Sequence, residues 1–169
     1  MALNQPDQAL KSFRTSIFYD PNNPKSYYGI GNVLMNQGLL VESLANFKIA
    51  KSYKNDSKMN FFVGLIEFKL NDINCIDSFT RSISLDSFNN QLYYYHRAQA
   101  FLMGNEPRYQ DALNDLMRIL DYNGAELGSG NVYRVLANVY EGIGEVDKAR
   151  EARGLADNSG SNQVTVFGD

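Results

Sequence analysis

Small residues recur along this chain at a spacing that few folds can use. Gly31 and Gly64 lie 33 residues apart, Gly64 and Ala98 34, and Ala98 and Ala137 39. A second set keeps time with the first: Ala9, Ser43, Cys75, Ala112 and Ala149 are separated by 34, 32, 37 and 37 residues. Each sits in an apolar stripe of three- and four-residue spacing, the pattern of an amphipathic helix. Glycine inside a helix costs about 1 kcal/mol relative to alanine, so Gly31 must relieve a close approach that a side chain would block. A period near 34 residues made of two helices predicts a solenoid of helical hairpins.

The stripes are Ala9, Phe13 and Ile17; Ile30 and Leu34; Leu44 and Phe47; and similar runs from Phe61, Ile76, Tyr93, Ala112, Val132 and Val146. Between them fall turn and cap residues, such as Asn23-Pro24, Asn36-Gln37-Gly38, Asn55-Asp56-Ser57 and Asn71-Asp72. The pattern predicts nine helices of about 10 to 16 residues, with short loops that make neighbours antiparallel. The fold class is all-α.

Residues 1–22 hold a second helix whose first helix is missing, residues 23–156 hold about four hairpins, and residues 157–169 are expected to be a flexible tail. Starting on a lone second helix uncovers an apolar face, which suggests a fragment of a longer array. At the other end Arg153 takes the place held by Phe in earlier repeats, amid Asp147, Lys148, Arg150 and Glu151. A polar outer face is what a last repeat needs. The tail contains a short apolar run, Val164-Thr165-Val166-Phe167, suited to docking on a neighbour.

The repeated motifs resemble the tetratricopeptide repeat (TPR) family. Its pattern is an aromatic, two residues, Leu-Gly, two residues, Tyr, then Ala, three residues, Phe, and a later Pro. Matching units are Tyr27, Ile30-Gly31 and Leu34 with Ser43 and Phe47; Tyr94, Arg97-Ala98 and Phe101 with Ala112 and Leu116; and Tyr133, Leu136-Ala137 and Tyr140 with Ala149. Val63-Gly64 with Cys75 and Phe79 departs most, its turn reading one residue short. The resemblance spans roughly residues 3–156. It implies a right-handed superhelical solenoid with first helices lining a concave groove.

By that resemblance, Lys25, Tyr28, Asn32 and Met35 would face the groove from the first hairpin. Phe61, Leu65, Phe68 and Lys69 would follow, then Tyr95, Gln99 and Met103, then Arg134 and Asn138. Aromatic and Met side chains beside amides suit capture of an extended peptide or a helix. Lys25, Lys69 and Arg134 are scattered, which argues against the Lys/Arg clamp that some family members close around a terminal carboxylate.

Nothing in the sequence carries an enzyme signature, a cofactor motif or a metal site. His96 has no second His or Cys nearby, and Cys75 fills a small-residue packing slot. GIGNVLMNQG has the wrong spacing for a dinucleotide site, and GAELGSG lacks the Lys-Ser/Thr of a phosphate loop. Asp111 and Asp115 sit one turn apart on a face expected to be solvated. Asn55-Asp56-Ser57 fits a glycosylation sequon, relevant only to an exported chain. A net charge of −3 with no basic run argues against nucleic acid. One cysteine excludes an intrachain disulfide framework, and no apolar run approaches the roughly 20 residues that span a bilayer. MALNQPDQAL lacks a signal peptide's charged start and apolar block, so the chain is expected in the cytoplasm, with any targeting signal of a longer protein lying upstream.

The function expected is therefore a non-catalytic scaffold holding a peptide or helix of a partner protein. Two alternatives are a homo-oligomeric assembly module and the regulatory repeat domain of a larger enzyme.

Overall fold

The computed structural model describes residues 5–86, 88, 90–121 and 129–161. Among them are nine α-helices and no strand. A single helix, α1 (Gln5–Tyr19), precedes four hairpins: α2 (Pro24–Asn36) with α3 (Leu40–Tyr53), α4 (Ser57–Lys69) with α5 (Cys75–Ser84), α6 (Gln91–Phe101) with α7 (Tyr109–Asp121), and α8 (Ser129–Gly142) with α9 (Val146–Ser161). The chain divides into two compact units, one ending at Asn89 and the other starting at Asn90.

Side-chain caps start three of the first helices. The carboxamide oxygens of Asn23 and Asn90 accept from the Lys25 and Leu92 amides at 3.0 and 2.9 Å. The Asp56 carboxylate accepts from the Met59 amide at 2.9 Å. Each satisfies a helical N–H that has no partner within the helix.

The first helices also stop alike. Gly38, Asn71 and Gly144 follow α2, α4 and α8 with φ of 76°, 58° and 83°. In each, the next amide reaches back into the last turn: Leu39 to the Leu34 carbonyl at 2.9 Å, Asp72 to Glu67 at 2.9 Å and Glu145 to Tyr140 at 2.8 Å. This pair of features is the Schellman stop, which needs a left-handed residue after the helix. Asn71 tolerates that conformation, so the turn that reads as short in sequence closes like the others. The α6–α7 connection is longer, with Gly104 at φ 79° and the Arg108 amide donating to the Phe101 carbonyl at 2.7 Å.

The small residues do what the repeat spacing requires. A Cβ on Gly31 would lie 3.0 Å from the ring of Phe47, and one on Gly64 2.9 Å from Phe79. Phe47, Val63 and Ile66 form a buried cluster, against which Tyr28, Met35, Leu44 and Phe62 pack. In the second unit Ala98, Leu116, Val132, Ala137 and Ala149 occupy the equivalent interior.

Buried charge is paired. Glu67 accepts from Ser78 Oγ at 2.6 Å and meets Lys48 Nζ at 3.3 Å, so one carboxylate links α3, α4 and α5. Arg97 forks onto Asp115 with contacts of 2.8 and 2.7 Å between α6 and α7. Asp115 is 4% exposed, so its expected place on a solvated face is corrected. The pairing partner lies 18 residues upstream, where helical spacing gives no hint of it.

At the last repeat, Arg153 pairs with Glu141, and α9 continues to Ser161, making residues 157–161 helical. Most of GAELGSG and all of VTVF lie outside the described residues.

Candidate functional site

Asn23 and Pro24 fix where α2 begins, which places Lys25, Tyr28 and Asn32 along one helical stripe. The ring of Phe13 on α1 lies so close to Gly29 that an added Cβ would sit 2.3 Å from it. The α3–α4 turn then brings Lys54, Asp56, Lys58 and Met59 to the same place. Together they enclose a cleft of about 570 Å³ within the first unit. Phe13, Val33 and Met59 supply apolar wall, while Lys25, Lys54 and Lys58 make the rim cationic.

Lys54 Nζ is 3.0 Å from Asp56 Oδ2, and Lys58 Nζ stands 4.5 Å above the Tyr28 ring. Burial pushes the Asp56 carboxyl up, but the Met59 amide and the two lysines outweigh it and hold it below its ordinary 3.8. Asp56 therefore stays ionised and neutralises Lys54. Lys25 has no ion-pair partner among the described residues. Tyr28 also packs on Phe47 and Phe62, with ring centres 5.8 and 5.1 Å away.

Of the expected groove residues, Lys25, Tyr28 and Asn32 thus meet at one cleft. Met35 is half-buried against the Phe47 cluster. Phe61 is 6% exposed and packs against Phe62 and Phe79, which places it in the core. Leu65 and Phe68 are half-buried further along α4, and Lys69 is exposed in its last turn.

In the second unit Gln99 Nε2 donates to Tyr95 Oη at 3.4 Å. Burial raises the Tyr95 hydroxyl's pKa, and the Arg134 charge opposes the rise. Those three residues therefore share one neighbourhood. Met103 is half-buried and Asn138 exposed. His96 lies edge-on to Tyr95 at 5.4 Å.

Sequence reasoning missed Phe13, Lys54, Lys58 and Met59. Their contribution depends on how α1 and the α3–α4 turn pack around α2, which periodicity does not encode. Elsewhere, burial and the Glu67 and Asp72 carboxylates push the Cys75 thiol up to about 11, so it stays protonated at neutral pH. Among the described residues no helix is long and apolar enough to cross a membrane. The outer face of α1 exposes Phe18 (79%) and Tyr19 (80%) beside Leu10 and Arg14.

A family model described as TPR repeat matches residues 1–38. No curated protein sequence matches the chain. Solved structures match nearly all of it. MamA residues 41–end from Desulfovibrio magneticus RS-1 superposes with a TM-score of 0.83 at 14% identity, over 96% of this chain and 89% of that one. A second MamA crystal structure gives 0.80 at 17% identity, over 96% and 98%. YrrB, described as a TPR protein with an unusual peptide-binding site, gives 0.79 at 17% identity, over 95% and 80%.

Proposed function

We propose, for a chain that carries a TPR repeat at residues 1–38 and has the TPR solenoid fold, that it is a non-catalytic scaffold whose first-unit cleft holds a segment of a partner protein. The observation that carries this is the meeting of Lys25, Tyr28 and Asn32, three residues that the family resemblance assigns to a groove, around a cleft of about 570 Å³. An aromatic and apolar wall gives an anchor pocket, and the Asn32 amide offers both a donor and an acceptor to a ligand backbone. The likeness of the fold to YrrB, a TPR protein with a peptide-binding site, supports the reading.

Selection of a displayed peptide library on the intact chain tests it. Selected peptides are expected to bind Asn32→Ala and Lys58→Glu about tenfold more weakly, with both variants still folded by circular dichroism at the assay temperature, since Lys58 is exposed and Asn32 half-buried. Equal binding to wild type and both variants would move the site elsewhere.

A second reading, assembly between copies, draws on the exposed Phe18 and Tyr19 of α1. Phe18→Ser would then abolish a concentration-dependent mass in light scattering.

A further inference from the structure

We propose that the cleft around Tyr28 receives residues 162–169 of a second copy of this chain, a reading that rests on the cleft being a peptide site. The chain as a whole is acidic, with 19 carboxylates against 16 Lys and Arg, yet this cleft inverts the sign. Three lysines surround it and one aspartate answers them. Asp56 is already committed to Lys54 at 3.0 Å, and Lys25 and Lys58 line the same cleft without a carboxylate at salt-bridge distance among the described residues, Lys58 lying 4.5 Å above the Tyr28 ring. A ligand for such a cleft needs an apolar anchor, a negative charge close by, and no cation.

Residues 162–169, Asn-Gln-Val-Thr-Val-Phe-Gly-Asp, meet each requirement. Phe167 is the anchor and Asp169 the charge, two residues apart, and the last thirteen residues of the chain hold two Asp and no Lys or Arg. Val164, Thr165 and Val166 are β-branched, residue types that favour an extended chain. In that conformation Phe167 and Asp169 project to the same side. Phe167 then enters between Phe13 and Met59, with Asp169 reaching Lys25 or Lys58. The upstream polar run Asp157 to Gln163 gives the apolar residues no stripe that would extend α9 amphipathically.

The test uses the full chain. Wild type is expected to show a mass that rises with concentration in sedimentation, weakened by added salt, and both Phe167→Ser and the Lys25→Glu, Lys58→Glu double variant should remove it. Adding Asp169→Lys to that double variant should restore part of the association. A peptide of residues 162–169, capped at both ends, should shift the amide resonances of Gly29, Asn32 and Met59 in the Phe167→Ser chain, with affinity about tenfold lower for the double variant. Association lost on Phe18→Ser but kept on Phe167→Ser overturns the proposal in favour of the α1 face. If the capped peptide leaves those resonances in place while library-selected peptides move them, the tail is not the ligand and the cleft stands as a peptide site. If neither moves them, both readings fall.

Discussion

Ser43 Oγ donates to the Gly31 carbonyl oxygen at 2.8 Å, a buried hydrogen bond between the two helices of the first hairpin. It forms because Gly31 has no side chain and Ser43 a short one, so the backbones of α2 and α3 approach closely. Phe47, one turn beyond Ser43, closes the same gap with its ring.

Ser43→Ala removes that bond and is expected to cost about 1 kcal/mol, or roughly 2–4 °C in melting temperature. Gly31→Ala should also destabilise, although alanine is the better helix former. Its Cβ would sit 3.0 Å from a fully buried Phe47 ring, and overpacking costs about 1–3 kcal/mol. A rise in melting temperature for Gly31→Ala would show the interface to be looser than described.

The Arg97–Asp115 pair gives a sharper contrast between partners. Asp115→Ala removes the carboxylate that pairs with a guanidinium only 18% exposed, and about 3–5 kcal/mol should be lost. Replacing both at once, Arg97→Met with Asp115→Leu, should recover most of it. Hydrogen exchange would show the single variant's loss first in the amides of α6 and α7.

Asp56 makes one part of the stability depend on acid. Its native pKa lies below 3.8, so its contribution is fully present above that value and is lost as pH falls through the lower native value. Asp56→Asn keeps the capping oxygen and removes the charge. Urea midpoints for the two chains should therefore differ at pH 7 and converge as pH drops below 3.8. A difference that ignores pH would assign the effect to packing.

Cys75 predicts a chemical readout of unfolding. With the thiol buried and its pKa pushed to about 11, a disulfide reagent at pH 8 should react at the rate at which α5 opens. Rapid labelling of native chain would contradict its burial.

The two-helix period was legible because close packing forces small residues onto the same positions in every hairpin. Gly31, Ser43 and Phe47 fall in one unit of the family pattern, and all three meet between α2 and α3. Which glycines receive the rings that pack between successive hairpins was not legible. Gly29 receives Phe13 from α1, and Gly142 receives Tyr109 from α7, off the repeat positions. Phe61 falls inward because its ring fills the space beside Phe79, while its neighbour Phe62 turns toward Tyr28. Five of the eleven residues lining the cleft come from α1, the α3–α4 turn and the first turn of α4, none of them at a position that the family resemblance assigns to a groove. Asn71-Asp72 marked a break, but not that the break closes like the glycine turns, because asparagine is a less explicit sign of a left-handed residue than glycine.

The carboxylate of Glu67 gives the first unit a fixed running order. Ser78, in its own hairpin, satisfies one oxygen, but the other finds an ammonium only because the helix before it carries Lys48. A copy of α4–α5 grafted behind a different hairpin would keep its turns and its glycine contact, yet carry a nearly buried anion with its hydroxyl donor but without its cation. Backbone geometry makes the repeats look interchangeable, whereas this buried charge works as an address, and any recombined array would have to move α3 along with the hairpin that follows it.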